Sequence, residues 1–340
     1  MPSGLATATL LTVVLNLLFL VTNGWGQQTP KPSERTALSR SPSLEDWSSL
    51  SLASSQLRAE PPVLGEKDEE ALFTRELLQV QWRSGDPIDL YVIKPKGVAR
   101  PPVILYLYSY PAETDRFRDN HYCERITAGG FAAVGFVSAL TGQRYQNRPM
   151  KQWFVSEMQE ALGSSVHDVQ MVLNYLASRN DLDPGRVGIF GVGSGGTIAI
   201  LSAAVDTRIK TIDALDPWGD WPEWVAASAL IPEEERPVYR KPEYLKSVAP
   251  LDPVQFLPQL HSVRLRIQEL MDDPVTPKGA KERIESAAPS SAQLVHYTGD
   301  LELYTASSGG RLFQWIKDQL RSAGDSQSDE KLEKTRSPGN

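Results

Sequence analysis

The chain has 340 residues, 41% hydrophobic and 23% charged, with a formal net charge of −7. That length suits one large α/β domain with flanking tails, and the mild acidity without a basic block excludes nucleic acid as an expected partner. Cys123 is the single cysteine, which excludes an intramolecular disulfide and a cysteine-built zinc centre.

Residues 5–21 are apolar apart from threonines and Asn16, and they run into the polar turn Thr22-Asn23-Gly24. This pattern predicts a signal peptide over residues 1–26, leaving near Gly24 or Gly26, and a secreted or periplasmic protein. The alternative is a retained membrane anchor over residues 5–22, since about 17 apolar residues is the lower limit of a span. A membrane is a partner only under that alternative. Residues 27–61 are rich in Ser, Pro and charge and are expected to be a disordered linker. Residues 323–340 share that character and are expected to be a disordered tail, which leaves a folded domain over 62–322.

Inside the domain, Glu76–Trp82 and Ile88–Ile93 flank the turn Arg83-Ser84-Gly85-Asp86-Pro87 and read as a hairpin. Val103–Tyr108 is a continuous apolar run, as expected of a strand buried on both faces. Asn120–Ala128 reads as a helix ending at Gly129-Gly130, and Ala132–Val137 as a strand. Val166, Val169, Val172, Leu173 and Leu176 share one face of a helix over Ser164–Ser178. Val187–Phe190, Ile209–Leu215, Arg264–Met271 and Gln293–Tyr297 read as strands. Thr197–Val205 and Arg311–Arg321 read as helices, another begins at Thr276-Pro277, and residues 216–260 are irregular and rich in Trp and Pro. A hairpin feeding alternating strands and helices predicts a mostly parallel sheet covered on both faces. Ligand sites in such sheets lie beyond the carboxyl ends of the strands.

One of those loops carries a motif. The segment from Asp183 to Thr197 holds Val187-Gly188-Ile189-Phe190-Gly191-Val192-Gly193-Ser194-Gly195-Gly196. It resembles the nucleophile elbow of α/β-hydrolases, and is most similar to the dienelactone hydrolase, acetyl xylan esterase and prolyl-oligopeptidase-like branches. The resemblance extends over about residues 75–320. It implies an α/β-hydrolase fold, with residues 216–260 as a lid-like insertion, and a serine hydrolase acting on esters or peptides. A dinucleotide-binding turn is disfavoured, because the glycines are spaced differently and no first-strand context exists.

The register of the elbow decides the chemistry. Residues two before and two after the apex must be small. An apex at Gly193 puts Gly191 and Gly195 there, whereas an apex at Ser194 puts the bulky Val192 at one of them. The expected nucleophile position is therefore Gly193, with Ser194 as a displaced nucleophile in the alternative. The resemblance also implies an acid at Asp273, with Asp272 next, and a histidine a few residues after the last strand. Leu301 or Glu302 occupies that last place. Tyr110 falls where some acetyl esterases have an oxyanion tyrosine.

Asp216, Trp218, Asp220, Trp221 and Trp224 follow a strand end and would overhang the site. Their aromatics suit either a ligand pocket or a self-packed lid. Arg144 would share that rim and could meet an anionic group. Three readings follow. The first is a catalytically impaired binding scaffold for a small ester-like or carbohydrate ligand. The second is an active serine hydrolase using Ser194 and Asp273 with an atypical base, His296 or His167. The third is non-nucleophilic chemistry through Asp216, Asp220 and Glu302. The four histidines show no metal-ligand spacing, so no metal and no cofactor are expected.

Overall fold

The computed structural model describes residues 45–111, 113–140, 154–308 and 310–322. The expected signal segment, the tail 323–340 and Arg144 lie outside the described residues. Among the described residues, no helix is long and apolar enough to cross a membrane.

Nine strands form one sheet: β1 (Val63–Glu69), β2 (Phe73–Gln81), β3 (Pro87–Pro95), β4 (Pro102–Leu107), β5 (Ala132–Phe136), β6 (Asp183–Val192), β7 (Ile209–Leu215), β8 (Arg264–Leu270) and β9 (Gln293–Tyr297). Their order is β1-β2-β3-β5-β4-β6-β7-β8-β9. β2 and β3 pair antiparallel as the hairpin, and β3 pairs antiparallel with β5. From β5 to β9 every pairing is parallel. The order turns back on itself at β4, which lies between β5 and β6.

Alternation along β4 shows how the core divides. Val103, Leu105 and Leu107 face one apolar cluster, and Ile104 and Tyr106 face the other. Side chains two apart share a face, so a strand buried on both sides reads as an unbroken apolar run. The first cluster takes in the helices Met158–Ser178 and Ser194–Val205 through Val166, Val169, Ile198 and Leu201. The second takes in Tyr122, Cys123 and Ile126 of the helix Asn120–Thr127, together with Phe313, Ile316 and Leu320 near the carboxyl end.

The structure departs from the sequence reading in several places. Residues 45–61, expected within the disordered linker, are in part an ordered strap. Leu50 is buried in the core, and Glu45 is ion-paired to Arg83 and hydrogen-bonded to His167. Leu50, Leu52 and Leu57 pack against the core but follow no helical or strand period among the serines, and Glu45 adds a polar anchor. β1 was not predicted, because it is a charged edge strand with most of its residues exposed. The helix before the elbow starts at Met158, a turn and a half before Ser164. The region 216–260 is less irregular than expected, with short helices at Trp221–Ala227, Arg236–Tyr239 and Pro242–Val248. Pro277 caps its helix from outside and is not its first residue. The loop expected after β9 is a helix, Asp300–Ser308.

Candidate functional site

β6 ends at Val192 and a helix begins at Ser194. Gly193 alone makes the reversal, with φ 54° and ψ −120°. Side chains rarely adopt that conformation, and glycine adopts it without steric cost. The flanking glycines are required by close approach. A Cβ at Gly191 would meet the Gly195 carbonyl oxygen at 2.5 Å, and a Cβ at Gly195 would run into the Leu107 backbone. The turn apex is thus Gly193, with small residues at the two flanking places. Its N–H donates to Leu215 O at 2.8 Å, which ties the turn to β7.

The space above the apex is filled. A Cβ at Gly193 would lie 2.5 Å from Ser109 Oγ, 3.0 Å from Ser109 Cβ and 3.2 Å from Trp218 Nε1. Trp218 is fixed from below, where Thr197 Oγ1 donates to its carbonyl at 2.7 Å and its N–H lies 2.9 Å from the same hydroxyl. Its ring stacks on Phe154 at 5.8 Å and on Trp224 at 5.1 Å, while Phe154 meets Tyr110 at 4.9 Å. Trp218, Trp221 and Trp224 are all buried. These rings pack on one another and on Phe154.

Ser194 is the first residue of its helix and is fully buried. Its Oγ accepts the Tyr110 N–H at 3.1 Å. In an elbow of this kind, an N–H from the loop after the preceding central strand is one of the two oxyanion donors. Here the Tyr110 N–H points at the serine hydroxyl. Tyr110 meets Ser194 through its backbone N–H, and its ring packs on Phe154.

The expected bases lie elsewhere. His167 Nδ1 sits 2.7 Å from Glu45 Oε1 and Nε2 sits 2.9 Å from Ser49 O, so both ring nitrogens bind the strap. Its neighbour Asp168 accepts from Arg83 and from Trp82 Nε1. His296 Nε2 bonds to Glu285. Among the described residues no histidine hydrogen-bonds to Ser194. After β9, Leu301 is exposed and Glu302 accepts from Thr298 N–H at 2.8 Å and from its hydroxyl at 3.0 Å. Glu302 therefore holds the first turn of the helix Asp300–Ser308.

Asp273 accepts the N–H groups of Val275 and Thr276 at 3.2 and 3.0 Å, a local turn ahead of the helix Lys278–Ala287. Asp272 is exposed. Asp216 has a positive φ of 47°. It accepts the Leu270 N–H at 2.8 Å and stands 3.7 Å from Lys281 Nζ. Burial, and then the charge of Asp273, push its carboxyl up to about 7. Asp220 also has a positive φ, and burial raises its carboxyl. Asp216 and Asp273 thus come together, while Asp220 turns towards Arg283 and Glu302 towards Thr298.

A cleft of about 630 Å³ opens beyond β9, lined by Arg266, Tyr297, Thr298, Leu301, Glu302 and Arg311 among others. Neither Gly193 nor Ser194 lines it. Sequence reasoning missed Ser109, Thr197 and Lys281. Ser109 lies two residues beyond the end of the buried strand β4, and its place next to the turn was the one usable signal. Lys281 had none, because a single lysine on a helix looks solvent-facing until the helix is docked.

Comparison with known proteins agrees with this architecture. Residues 88–218 match the dienelactone hydrolase family. A 160-residue stretch is 26% identical to YtaP of Bacillus subtilis (strain 168), named as a hydrolase, covering 43% of this chain and 52% of that protein. The chain spans about half the length of the curated relatives it matches. Among solved structures, acetyl xylan esterase 1 from Thermoanaerobacterium sp. JW/SL YS485 superposes with a TM-score of 0.59 at 15% identity, over 77% of this chain and 90% of that one. The acetyl xylan esterase from Paenibacillus sp. R4 gives 0.56 at 18% identity, over 80% and 90%. The chain therefore carries the α/β-hydrolase fold, with residues 88–218 matching the dienelactone hydrolase family.

Proposed function

We propose that this chain is a hydrolase-fold protein that binds a ligand and does not hydrolyse esters through a serine nucleophile. The observation that carries this reading is at Gly193. The apex has no side chain, and the volume a nucleophile would enter is taken by Ser109 and Trp218. The buried Ser194 hydroxyl accepts from a donor that ester hydrolysis would need for the oxyanion. A serine also needs a base within about 2.6–3.2 Å, and His167 and His296 are engaged with other partners.

The ligand in this reading is a small ester-like or carbohydrate molecule in the cleft beyond β9. The cleft's 630 Å³ is in the range of small-molecule sites, roughly 300–1,000 Å³. Tyr297, Thr298, Glu302 and Arg311 supply polar groups for hydroxyl and carbonyl oxygens. The reading includes export, with residues 1–26 as the signal segment. N-terminal sequencing of protein recovered from the medium tests that part.

The catalytic part is tested on the purified chain with a fluorophosphonate probe and with p-nitrophenyl acetate turnover. The expected result is no labelling and turnover equal to that of Ser194→Ala. Strong labelling that disappears in Ser194→Ala would overturn the proposal. Binding of an acetylated sugar, read by calorimetry against Arg311→Ala and Thr298→Val, tests the ligand.

A further inference from the structure

β8 and β9 run parallel with Glu269 beside His296. Glu285 reaches the same place from the helix Lys278–Ala287. One ligand atom from each of Glu269, Glu285 and His296 lies within 4.8 Å of the other two. Glu269 is the unusual member. It is 1% exposed, and neither of its carboxylate oxygens has a hydrogen-bond donor. Native structures rarely leave a buried carboxylate without donors, because its desolvation is then uncompensated.

The groups around Glu269 relieve it only in part. Glu285, the nearest facing group, is a second carboxylate, and its Oε1 bonds to His296 Nε2. Lys281 also faces the pair, but its Nζ donates to Leu270 O and stands 3.7 Å from Asp216. Burial, followed by Glu285, pushes the Glu269 carboxyl up to about 8. Asp216 adds further negative charge. Among the described residues, no cation hydrogen-bonds to the Glu269 carboxylate.

We propose that Glu269, Glu285 and His296 bind one divalent cation of the zinc class, which fastens the helix Lys278–Ala287 to the β8–β9 edge. The donor set selects the metal. One imidazole nitrogen with two carboxylate oxygens suits borderline first-row ions, whereas calcium and magnesium take oxygen alone. With bonds of about 2.0–2.2 Å, tetrahedral ligand atoms stand roughly 3.4 Å apart. Reaching that spacing opens the direct Glu285–His296 contact and draws both side chains towards Glu269. Their side chains are 25% and 46% exposed and free to move, while Glu269 is held by burial. The exposed side leaves the fourth position to water. Metal ligands bind in their deprotonated form, so affinity rises with pH.

The test uses the full chain, stripped with a chelator and titrated at pH 7.5 with zinc chloride, and separately with magnesium chloride. Calorimetry and thermal melts read it. A single zinc equivalent, a rise in Tm of several degrees and no response to magnesium are expected. Glu269→Gln and His296→Gln should each weaken zinc binding at least about tenfold. His296 is half-exposed, so its variant keeps the test open even where Glu269→Gln disturbs folding. Equal zinc binding in both variants and the wild type overturns the proposal, as does the absence of any zinc effect. Loss of stability above pH 8 that vanishes in Glu269→Gln, without a zinc response, would assign the pair to a shared proton and also overturn it.

Discussion

The Tyr110 N–H donates to the hydroxyl of Ser194, 84 residues away, at 3.1 Å. This bond joins the loop after β4 to the first turn of the elbow helix, and it satisfies a polar group in a fully buried position. Ser194→Ala removes the acceptor and leaves the N–H facing an apolar methyl. An orphaned donor of this kind costs about 1–3 kcal/mol. Thermal melts should show a drop in Tm of several degrees, at about 2–4 °C per kcal/mol. Ester turnover should not change, because the serine is a structural acceptor in this reading.

The apex makes a sharper prediction. Gly193→Ser puts a side chain where φ is 54° and where Ser109 Oγ would stand 2.5 Å from the new Cβ. Backbone strain alone costs about 1–3 kcal/mol, and overpacking adds to it. The variant should therefore be less stable and should not gain hydrolysis. Adding Ser109→Gly relieves the contact and should recover part of the loss. A double-mutant cycle by chemical denaturation gives the coupling, and strictly additive effects would show that Ser109 does not fill the space.

Much of this site was legible before the fold was known, because the elbow is local. Gly191 and Gly195 fix the apex at Gly193 through contacts within five residues and with β4. What could not be read was the content of the space above it. Ser109 and Trp218 arrive there from two other strand ends, β4 and β7. The same applies to Glu269, Glu285 and His296, which join two strands and a helix with no spacing that resembles a metal motif. The strap at Glu45 was hidden because a polar anchor in a Ser- and Pro-rich stretch has no periodicity. The strands β2 to β9, by contrast, were carried by apolar runs and were read in chain order, while their order across the sheet was not.

Asp216 should impose a pH dependence on stability. Its folded carboxyl titrates at about 7, against roughly 4 in an unfolded chain. Between those values the folded state holds the proton and the unfolded state does not. Stability from this group is therefore full below about pH 4 and is lost as pH rises through 7. Asp216→Asn removes that dependence. The difference in Tm between variant and wild type should grow in favour of the variant from pH 4 to pH 7 and level off above it. A difference independent of pH over that window would count against a buried, protonated Asp216.

The strap offers the last test. Glu45 receives Arg83 and His167, and Arg83 also binds Asp168 and the carbonyl of Ser164. These groups join the segment before β1, the β2–β3 turn and the helix Met158–Ser178. Breaking a buried ion pair by removing one partner costs about 3–5 kcal/mol, so Glu45→Ala should lower Tm by roughly 10 °C. A gentler variant separates docking from charge. Gly163 lies under the strap, and a Cβ there would stand 2.5 Å from the Trp47 carbonyl oxygen. Gly163→Ala leaves the ion pairs intact in composition and slightly favours the helix, yet it must lift the strap. Limited proteolysis should then cut within residues 45–60 much faster than in the wild type, while the sheet beyond β1 stays protected. Equal cleavage rates would show that the strap accommodates the added methyl without lifting.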